Sequence, residues 1–317
     1  MPIRFSVLIP AYNAEAFIHE ALDSVALQLH APDQIIVIDD GSTDGTAAAV
    51  TRWSQSEGIQ IDLIRQENKG LPAARNQGVK ISKCDWIALL DADDIFQPTH
   101  LAEMARAIAL RPEIVAAFGD GVHFGANIIE SMPFAREKAI AAAGSPVSDG
   151  LYVLGDDLYR SLLPGSFIMS CCLVFNRDAA LDIGVYDESI KYIEDRDFLL
   201  RLSKRGRFAF VDRVTAKARV HSSNITHPAN AVRNSHYSIR VLEKALFNWS
   251  DLGLTADEIK LTQEQLRRTM AQLLYSASGG GLGSYLEAVR SLVGKRFFLT
   301  TLHPKHLVRA AYYSFSR

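Results

Sequence analysis

Three carboxylates stand close together in the segment "ALLDADDIFQP" at residues 88–98. Asp91, Asp93 and Asp94 follow an apolar run, and like charges at this spacing raise one another's pKa unless a cation lies among them. Two aspartates separated by a single residue at a strand end, as Asp91 and Asp93 are, can bind a divalent cation. Mg²⁺ and Mn²⁺ prefer such oxygen ligands. The alternative is a solvated turn whose aspartates cap the helix that Pro98 opens.

A second acidic group closes the apolar segment that precedes "GSTDGT" at residues 41–46. Asp39 and Asp40 end that segment, which predicts a strand followed by a tight turn into a helix. Ser42 or Thr43 is the expected helix cap, because a hydroxyl there accepts a hydrogen bond from the backbone of the first turn. Capping needs only one side chain, so it leaves the paired aspartates for another role.

Arg75 lies in "NKGLPAARNQG" at residues 68–78, inside a short predicted helix. A guanidinium presents a planar set of donors that can contact the base or the phosphates of a nucleotide. The alternative is an ordinary salt bridge on an exposed helix face. The residues alone leave both interpretations open.

Glu194 and Asp195 open the predicted helix in "YIEDRDFLLRL" at residues 192–202. The helix dipole favours carboxylates at this end, which would explain both residues without any chemistry. An acid held beside a reacting centre can also serve as a general base for a hydroxyl. His221, near the end of a later predicted strand, likewise allows two interpretations, a packed core residue or a ligand.

Regularly alternating elements must position these residues. The sequence predicts strands at 4–10, 34–40, 61–66, 85–91 and 115–124, and helices between them at 16–29, 43–56, 71–82 and 98–110. Apolar strands divided by helices of this length are typical of βαβ units and of a mostly parallel, Rossmann-like α/β sheet with helices on both faces. Ligands of such sheets bind outside the carboxyl ends of the strands, so both acidic groups are expected at one edge.

The second half of the chain predicts fewer strands and then helices only. The predicted strands lie at 166–177, 207–212 and 215–221, the helices at 192–206, 230–249 and 255–277, and "GGGLG" at 279–283 interrupts the helical part. A boundary near residue 229 follows from this change of pattern.

Composition is that of an ordinary globular protein. The 317 residues are 48% hydrophobic with a formal net charge of −2, which argues against nucleic acid as a partner. Cys84, Cys171 and Cys172 form no disulfide framework and are expected to be buried in a reducing compartment. No targeting segment and no apolar stretch of about 18 residues stands out. A cytoplasmic protein is the resulting prediction.

Five segments in this order resemble the family 2 glycosyltransferases. They are "SVLIPAYNAEAFIHEALDSVALQ", "VIDDGSTDGT", "NKGLPAARNQG", "ALLDADDIFQP" and "IEDRDFLLRL". The resemblance covers roughly residues 4–225 and implies an inverting enzyme with the GT-A fold. It also implies a nucleotide-diphosphate-sugar donor, usually UDP-linked, and a divalent metal, Mn²⁺ or Mg²⁺.

The resemblance assigns five residues to the nucleotide. Pro10 and Tyr12 would line the pocket for the nucleobase, and Asp40, helped by Arg75, would bond the imide edge of the base. Asp91 would lie beside the nucleotide as the first aspartate of the DxD motif.

The resemblance also assigns the metal ligands and the catalytic base. Asp93 matches the principal metal ligand, Asp91 would assist it, and His221 resembles a histidine found near the metal and diphosphate. Asp195 matches the catalytic base, which would take the proton of the acceptor hydroxyl.

The resemblance also implies a domain organisation for the chain. Residues 1–228 would form the GT-A catalytic domain, with a nucleotide-binding half at 1–115 and an acceptor-binding half at 116–228. The helical pattern, and not the resemblance, predicts the helical extension at 229–317. The QxxRW motif of processive synthases is absent, which implies addition of a single sugar to a glycan or lipid-linked acceptor in surface polysaccharide biosynthesis. The alternatives are a sugar nucleotidyltransferase and a nucleotide-sugar-binding scaffold without catalysis.

The last 28 residues carry an unusual charge pattern. Residues 290–317 contain six Lys and Arg side chains, no Asp or Glu, and interleaved aromatic and aliphatic residues. Segments of this kind can lie on anionic membrane surfaces, and the alternative is a helix packed on the protein's own core. The first interpretation predicts a peripheral contact with the inner face of the membrane, near a lipid-linked acceptor.

Overall fold

A computed structural model describes residues 2–125, 132–143, 145–155, 157–220 and 230–315 of the chain. The chain divides into two compact units, Met1–Ser222 and Ser223–Arg317. The boundary predicted between residues 228 and 229 falls at the end of a segment outside the described residues, and the roles assigned to the two parts stay predictions.

Nine strands of the described residues join in one sheet. They are β1 (Phe5–Ala11), β2 (Gln34–Asp39), β3 (Asp62–Arg65), β4 (Trp86–Leu89), β5 (Ile95–Phe96), β6 (Ile114–Gly125), β7 (Leu151–Leu154), β8 (Leu173–Asn176) and β9 (Arg207–Val220). Their order is β3-β2-β1-β4-β8-β6-β9-β5, with β7 also paired to β9. The pairs among β3, β2, β1 and β4 and the β6–β9 pair are parallel, whereas β8, β5 and β7 run antiparallel to their partners.

Helices surround this sheet and make up the second unit. The first unit contains α1 (Ile18–Ala26), α2 (Thr46–Glu57), α3 (Leu71–Ile81), α4 (His100–Ile108), α5 (Arg136–Ala143), α6 (Leu158–Leu162), α7 (Arg177–Asp182) and α8 (Glu194–Leu202). The second contains α9 (Ala231–Phe247), α10 (Ala256–Ser278), α11 (Leu282–Leu292), α12 (Phe298–Thr301) and α13 (Pro304–Phe315). The predicted fold class, an α/β sheet surrounded by helices and followed by C-terminal helices, is confirmed.

Close packing of helices on the sheet explains why β1 is almost entirely apolar, with Ser6 as its one polar residue. All seven residues of β1 are buried, as expected for a central strand covered on both faces. A Cβ atom at Gly78 in α3 would lie 2.0 Å from Cδ1 of Leu8. Glycine at this position therefore lets α3 approach the strand more closely than any larger residue would.

Two parts of the predicted strand pattern are wrong. Only Leu173–Asn176 of the apolar run at 166–177 forms a strand, because Ser170–Cys172 forms a 3₁₀ turn with both cysteines buried. Burial alone produces an apolar run, whatever the backbone conformation. The two strands predicted at 207–212 and 215–221 are instead the single strand β9, whose pairing with β6 shifts register where Gly119 pairs with Val211 and Asp120 with Val214.

The predicted long helices of the second unit are present. Thr255 and Glu258 form a reciprocal capping box that begins α10, and the glycines after Ser278 separate α10 from α11. Across the described residues, no helix combines the length and the apolar character needed to cross a bilayer. All three cysteines are buried and unpaired, as predicted.

His100 gives the first unit a pH-dependent stability. Its ring is fully buried, stacks on Phe96 at 4.0 Å between centroids, and burial lowers the pKa of the imidazole to about 3. The folded state keeps this ring neutral, whereas the unfolded chain takes up a proton below its ordinary pKa of about 6.5. The contribution of His100 to stability is therefore present above about pH 6.5 and is lost as the pH falls towards 3, by about 1.4 kcal/mol per pH unit.

Urea unfolding at pH 7 and pH 4.5 tests this expectation. The free energy of unfolding should fall less between the two pH values in His100→Leu than in the wild-type protein, because leucine cannot take up a proton. Equal losses in both proteins would show that His100 is not a source of the acid sensitivity.

Candidate active site

Sheet register brings the two acidic groups to one edge. β1 is parallel to both neighbours, Ala11 pairs with Asp39 of β2, and Leu8 pairs with Leu89 of β4. The turns that follow β2 and β4 therefore leave the same edge of the sheet, on either side of the end of β1. This is the edge at which open α/β sheets bind ligands.

Asp40 is turned towards the segment that precedes α3. Its Oδ1 accepts hydrogen bonds from Gln66 Nε2 (2.7 Å) and the Lys69 amide (2.9 Å), and its Oδ2 accepts one from the Gly70 amide (2.7 Å). Gly70 has φ +91°, a conformation that glycine adopts without strain. The neighbouring Asp39 pairs instead with Arg65 at 2.8 Å.

The capping prediction for this turn is wrong. α2 begins at Thr46 with Gly45 as its cap residue, so neither Ser42 nor Thr43 caps it. Ser42 Oγ instead accepts a hydrogen bond from the amide of Asn13 at 2.9 Å. The turn after β2 is thus fastened to the end of β1.

Pro10 and Tyr12 occupy that end of β1. Pro10 is buried within the strand, whereas Tyr12, just after it, is 52% exposed. An exposed aromatic ring beside two polar turns is the kind of surface on which a planar base can stack.

The acidic loop, residues 91–94, is a tight turn held by arginines. The Asp94 amide donates to the Asp91 carbonyl at 3.0 Å, and Asp91 Oδ1 accepts from Arg75 Nη2 at 3.0 Å. From the other side, Arg219 Nε donates to the Asp93 carbonyl at 2.9 Å, and the Arg219 amide donates to Asp94 Oδ1 at 2.8 Å. The chain itself therefore supplies two cations that partly offset the repulsion among the carboxylates.

Negative charge nevertheless remains concentrated in the acidic loop. Burial, followed by the charges of Asp91 and Asp93, raises the pKa of Asp94 well above its usual value. Asp91 keeps 30% of its side chain exposed, and Asp93 is half-buried. Oxygen ligands with excess negative charge fit a hard divalent cation.

Protein groups in the described part of the chain do not form a complete set of metal ligands. Within the described ranges, no three or more His, Cys, Asp or Glu side chains come together in a way that could hold a metal ion. His221, the expected third ligand, lies outside the described residues. A cation at the acidic loop would take its further ligands from water or from a diphosphate.

Arg75 forms salt bridges with carboxylates, but it is buried, which excludes the alternative of a salt bridge on an exposed helix face. The side chain is 1% exposed, its Nη1 donates to Glu194 Oε1 at 2.7 Å, and its Nη2 donates to Asp91. Burial alone would lower the pKa of Arg75, but the carboxylates of Asp91 and Glu194 raise it. The guanidinium therefore joins the acidic loop to the start of α8.

Asn76 makes a second connection from α3. Its Nδ2 donates to the Tyr186 carbonyl (2.9 Å) and to Glu188 Oε1 (3.0 Å), and its Oδ1 accepts from the Tyr186 amide (2.9 Å). One short motif thus contacts Asp40 through its first residues and the segment 186–194 through Arg75 and Asn76.

Glu194 and Asp195 open α8, as predicted. Burial raises the pKa of Glu194 to about 7, against the lowering effect of Arg75, and burial also raises the pKa of Asp195. Asp195 has an intermediate exposure, whereas Glu194 is buried against Arg75. The two neighbours therefore have different surroundings, and Asp195 is the more exposed of the two.

Backbone strain flanks the segment that leads into α8. Val185 has φ +52° and Ile193 has φ +55°, and β-branched residues rarely adopt this left-handed conformation. Each such residue costs about 1–3 kcal/mol and persists where its surroundings hold it in place. Strain of this kind clusters at functional sites.

Several residues of this arrangement had no signal of their own in the sequence. Arg219 lies in a strand without any characteristic spacing, and the strain at Ile193 depends on backbone angles that no pattern reveals. Asn76 could have been found, because it follows Arg75 directly in the same motif. Tyr186 could not, since its role depends on a contact between distant segments.

Comparison with known proteins identifies the family that this chain resembles. Residues 6–150 match the model of the family described as glycosyl transferase family 2. The amylovoran biosynthesis glycosyltransferase AmsB of Erwinia amylovora is 31% identical over 214 residues, which cover 66% of this chain and 66% of AmsB. An uncharacterized glycosyltransferase of Rickettsia typhi is 28% identical over 237 residues, covering 71% of this chain and 66% of that protein. The chain thus spans 66% of the length of these relatives.

Solved structures share the fold over nearly the whole chain. TarS residues 1–349 of S. aureus, in complex with UDP, superposes with a TM-score of 0.60 at 17% identity, covering 99% of this chain and 92% of that one. The mannosyltransferase PcManGT of Pyrobaculum calidifontis, in complex with GDP-Man and Mn²⁺, gives 0.61 at 18% identity, covering 100% and 88%. At this identity the likeness supports the fold alone. The family match and the curated relatives show that the chain belongs to glycosyltransferase family 2.

Proposed function

We propose that this protein transfers a single sugar from a nucleotide-diphosphate donor, a UDP-sugar, to a hydroxyl of a glycan or lipid-linked acceptor. The observation that carries this proposal is the bridge from the acidic loop through Arg75 to Glu194, beside Asp195. This bridge links the acidic loop, where a diphosphate would bind, to Asp195, whose carboxylate would take the proton of an acceptor hydroxyl. AmsB is named for amylovoran biosynthesis, which supports a role in the synthesis of a surface polysaccharide.

Donor recognition is assigned to the end of β1 and the turn after β2. Tyr12 presents its exposed ring to a nucleobase beside Pro10, and Asp40 Oδ2, with a single protein hydrogen bond described, accepts from the imide edge of the base. The Arg75 guanidinium donates to the carboxylates of Glu194 and Asp91 and does not point into an open pocket. Its part in binding the nucleotide is therefore indirect, through Asp91. UDP in the TarS structure and GDP-Man in the PcManGT structure support a nucleotide-linked donor.

Asp93 and Asp91 would hold the divalent cation, Mn²⁺ or Mg²⁺, and the excess negative charge of the acidic loop supports this assignment. When bound, such a cation neutralises charge on the diphosphate leaving group. PcManGT was solved with Mn²⁺, which also supports a divalent cation. The chain contributes the fixed position of the loop, since Arg75 and Arg219 hold its two ends.

Asp195 acts as the general base. Its carboxylate takes the proton of the acceptor hydroxyl while that oxygen attacks the anomeric carbon from the face opposite the leaving nucleoside diphosphate, which inverts the anomeric configuration. The raised pKa of Asp195 brings its basicity closer to what proton transfer at neutral pH requires. Its intermediate exposure leaves room for an acceptor to approach.

Incubation of the protein with a panel of nucleotide sugars, with Mn²⁺ or with EDTA, tests the proposed function. We expect release of the nucleoside diphosphate from one donor, slow with water and faster with an acceptor hydroxyl. Formation of a nucleoside triphosphate and a sugar 1-phosphate, once pyrophosphate is added to the donor, would indicate a nucleotidyltransferase. Thermal stabilisation by the donor without any turnover would indicate a binding scaffold. Equal rates of diphosphate release with Mn²⁺ and with EDTA would show that the reaction does not need the cation.

We also propose that α13 places the protein at the inner face of the membrane. Leu307, Val308 and Tyr312 of this helix are 48%, 69% and 66% exposed, while Ala310 is buried. The Arg309 guanidinium lies 3.9 Å from the ring centroid of Tyr275. An exposed apolar face within a segment that has only basic charges suits an anionic bilayer.

Co-sedimentation with anionic vesicles tests this membrane contact. Val308→Glu should reduce the fraction that pellets by about tenfold, because it removes an apolar contact and adds repulsion. Ile259→Glu, at a 39% exposed position on α10, is the matched control and should pellet like the wild-type protein. Equal pelleting of Val308→Glu and the wild-type protein would contradict the proposal.

A further inference from the structure

Two consecutive residues of α3 bind the segment that leads into α8. Arg75 binds Glu194, the first residue of α8, and Asn76 binds the backbone of Tyr186 through both its amide and carbonyl groups. The Tyr186 ring stacks on Phe198 of α8 at 4.2 Å between centroids. The segment 186–194 is thus fastened at its two ends to consecutive residues of one helix.

The same guanidinium is shared with the acidic loop. Its Nη2 lies 3.0 Å from Asp91 Oδ1 while its Nη1 lies 2.7 Å from Glu194 Oε1, and the guanidinium carbon lies 5.4 Å from the centroid of the Tyr186 ring. A planar fork that donates to two carboxylates fixes the distance between them, which a flexible point charge such as lysine would not do. Arg75 is therefore a spacer of defined length.

We propose that Arg75 is a positioning residue that fixes the start of α8, and with it Asp195, relative to the acidic loop. The inference rests on the proposed function, because it assigns the base to Asp195 and the diphosphate to the loop. It differs from the role that the family resemblance implied for Arg75, which was direct contact with the nucleobase. Glu194 accepts a hydrogen bond from Arg75 and thereby helps to position Asp195, but it does not itself take the proton.

Four variants separate positioning from nucleotide binding. Arg75→Met removes both donors, and Glu194→Leu removes the acceptor. Arg75→Lys keeps the charge without the fork, and Glu194→Gln keeps an oxygen that can accept from Arg75. Arg177→Met is the matched control, because Arg177 also binds α3, through Nε to the Val79 carbonyl (3.1 Å), at the opposite edge of the sheet.

We expect kcat to fall by about 10²-fold in Arg75→Met and in Glu194→Leu, since a displaced base loses its alignment. The affinity for a nucleoside diphosphate with Mn²⁺ should change by only about threefold, and the double variant should be no slower than either single one. Arg75→Lys should recover part of kcat, and Glu194→Gln most of it. A loss of diphosphate affinity in Arg75→Met as large as the loss of kcat would overturn the proposal in favour of direct nucleotide binding.

Amide hydrogen exchange supplies a readout that does not depend on activity. Exchange in residues 186–202 should speed up in Arg75→Met and Glu194→Leu and remain at the wild-type rate in Arg177→Met. Exchange that is unchanged, or faster throughout the chain, would overturn the positioning role. A wild-type protein that transfers no sugar from any donor would refute the proposed function, whereas the exchange pattern would still decide whether Arg75 holds α8.

Discussion

Asp195→Asn is expected to lower the rate of sugar transfer by about 10²–10⁴-fold, the usual effect of losing a general base. Asparagine has the size and shape of aspartate but cannot take the proton of the acceptor hydroxyl. Donor affinity should persist, because Asp40 and the acidic loop lie on other elements. Steady-state transfer and nucleoside diphosphate affinity, measured in parallel, distinguish the two effects.

Glu194→Gln is the matched control for this substitution. It makes the same change of carboxylate to amide one residue away, yet the Gln oxygen can still accept from Arg75, so the rate should fall much less. Consecutive residues on a helix point about 100° apart, so the two side chains cannot address one hydroxyl equally. Near-wild-type turnover in Asp195→Asn together with an inactive Glu194→Gln would move the base to Glu194.

The pH dependence of transfer gives a second check on Asp195. Its pKa is raised by burial, and the base works only when ionised, so the wild-type rate should fall as the pH decreases through that raised pKa. The residual activity of Asp195→Asn should lack this acid limb. An unchanged limb in the variant would assign it to another group.

Elements of the fold that depend on local patterns were predictable from the sequence. The alternation of apolar runs with amphipathic segments predicts the parallel strands β1 to β4 and the helices between them, because covered parallel strands are apolar throughout. The run at 166–177 and the irregular strand β9 were predicted wrongly. Backbone geometry in those segments is set by tertiary packing, to which an apolar pattern is insensitive.

The candidate site was predictable as a set of residue types and only partly as a geometry. The position of Asp40 and the acidic loop at one sheet edge follows from topology, since both follow parallel strands. The partners of Arg75 do not, because Glu194 lies 119 residues away along the chain. Likewise, nothing in the sequence indicates that Arg219 reaches back to the Asp93 carbonyl. Contacts between distant segments decide these roles, and residue spacing does not encode them.

Asp93→Ala is expected to abolish the Mn²⁺-dependent part of nucleoside diphosphate binding. A hard cation needs carboxylate oxygens, and Asp93 is the assigned principal ligand. The fold should tolerate the change, because Arg219 binds the Asp93 backbone carbonyl, which alanine retains. Removal of one charge also relieves the repulsion that raises the pKa of Asp94, so the metal-free protein should unfold at the same or a slightly higher temperature.

Calorimetric titration of a nucleoside diphosphate with and without Mn²⁺ measures this effect in the variant and in Asp178→Ala. Asp178 is the matched control because its side chain is 86% exposed and lies far from the acidic loop. It belongs to α7, which begins directly after Asn176. Asn176 pairs with Trp86 at the start of β4, whereas the acidic loop follows the end of β4. The control should bind like the wild-type protein. If Asp93→Ala keeps the full Mn²⁺-dependent gain in affinity, Asp93 does not hold the cation. The oxygen that does would then have to come from Asp91 or from a group outside the acidic loop.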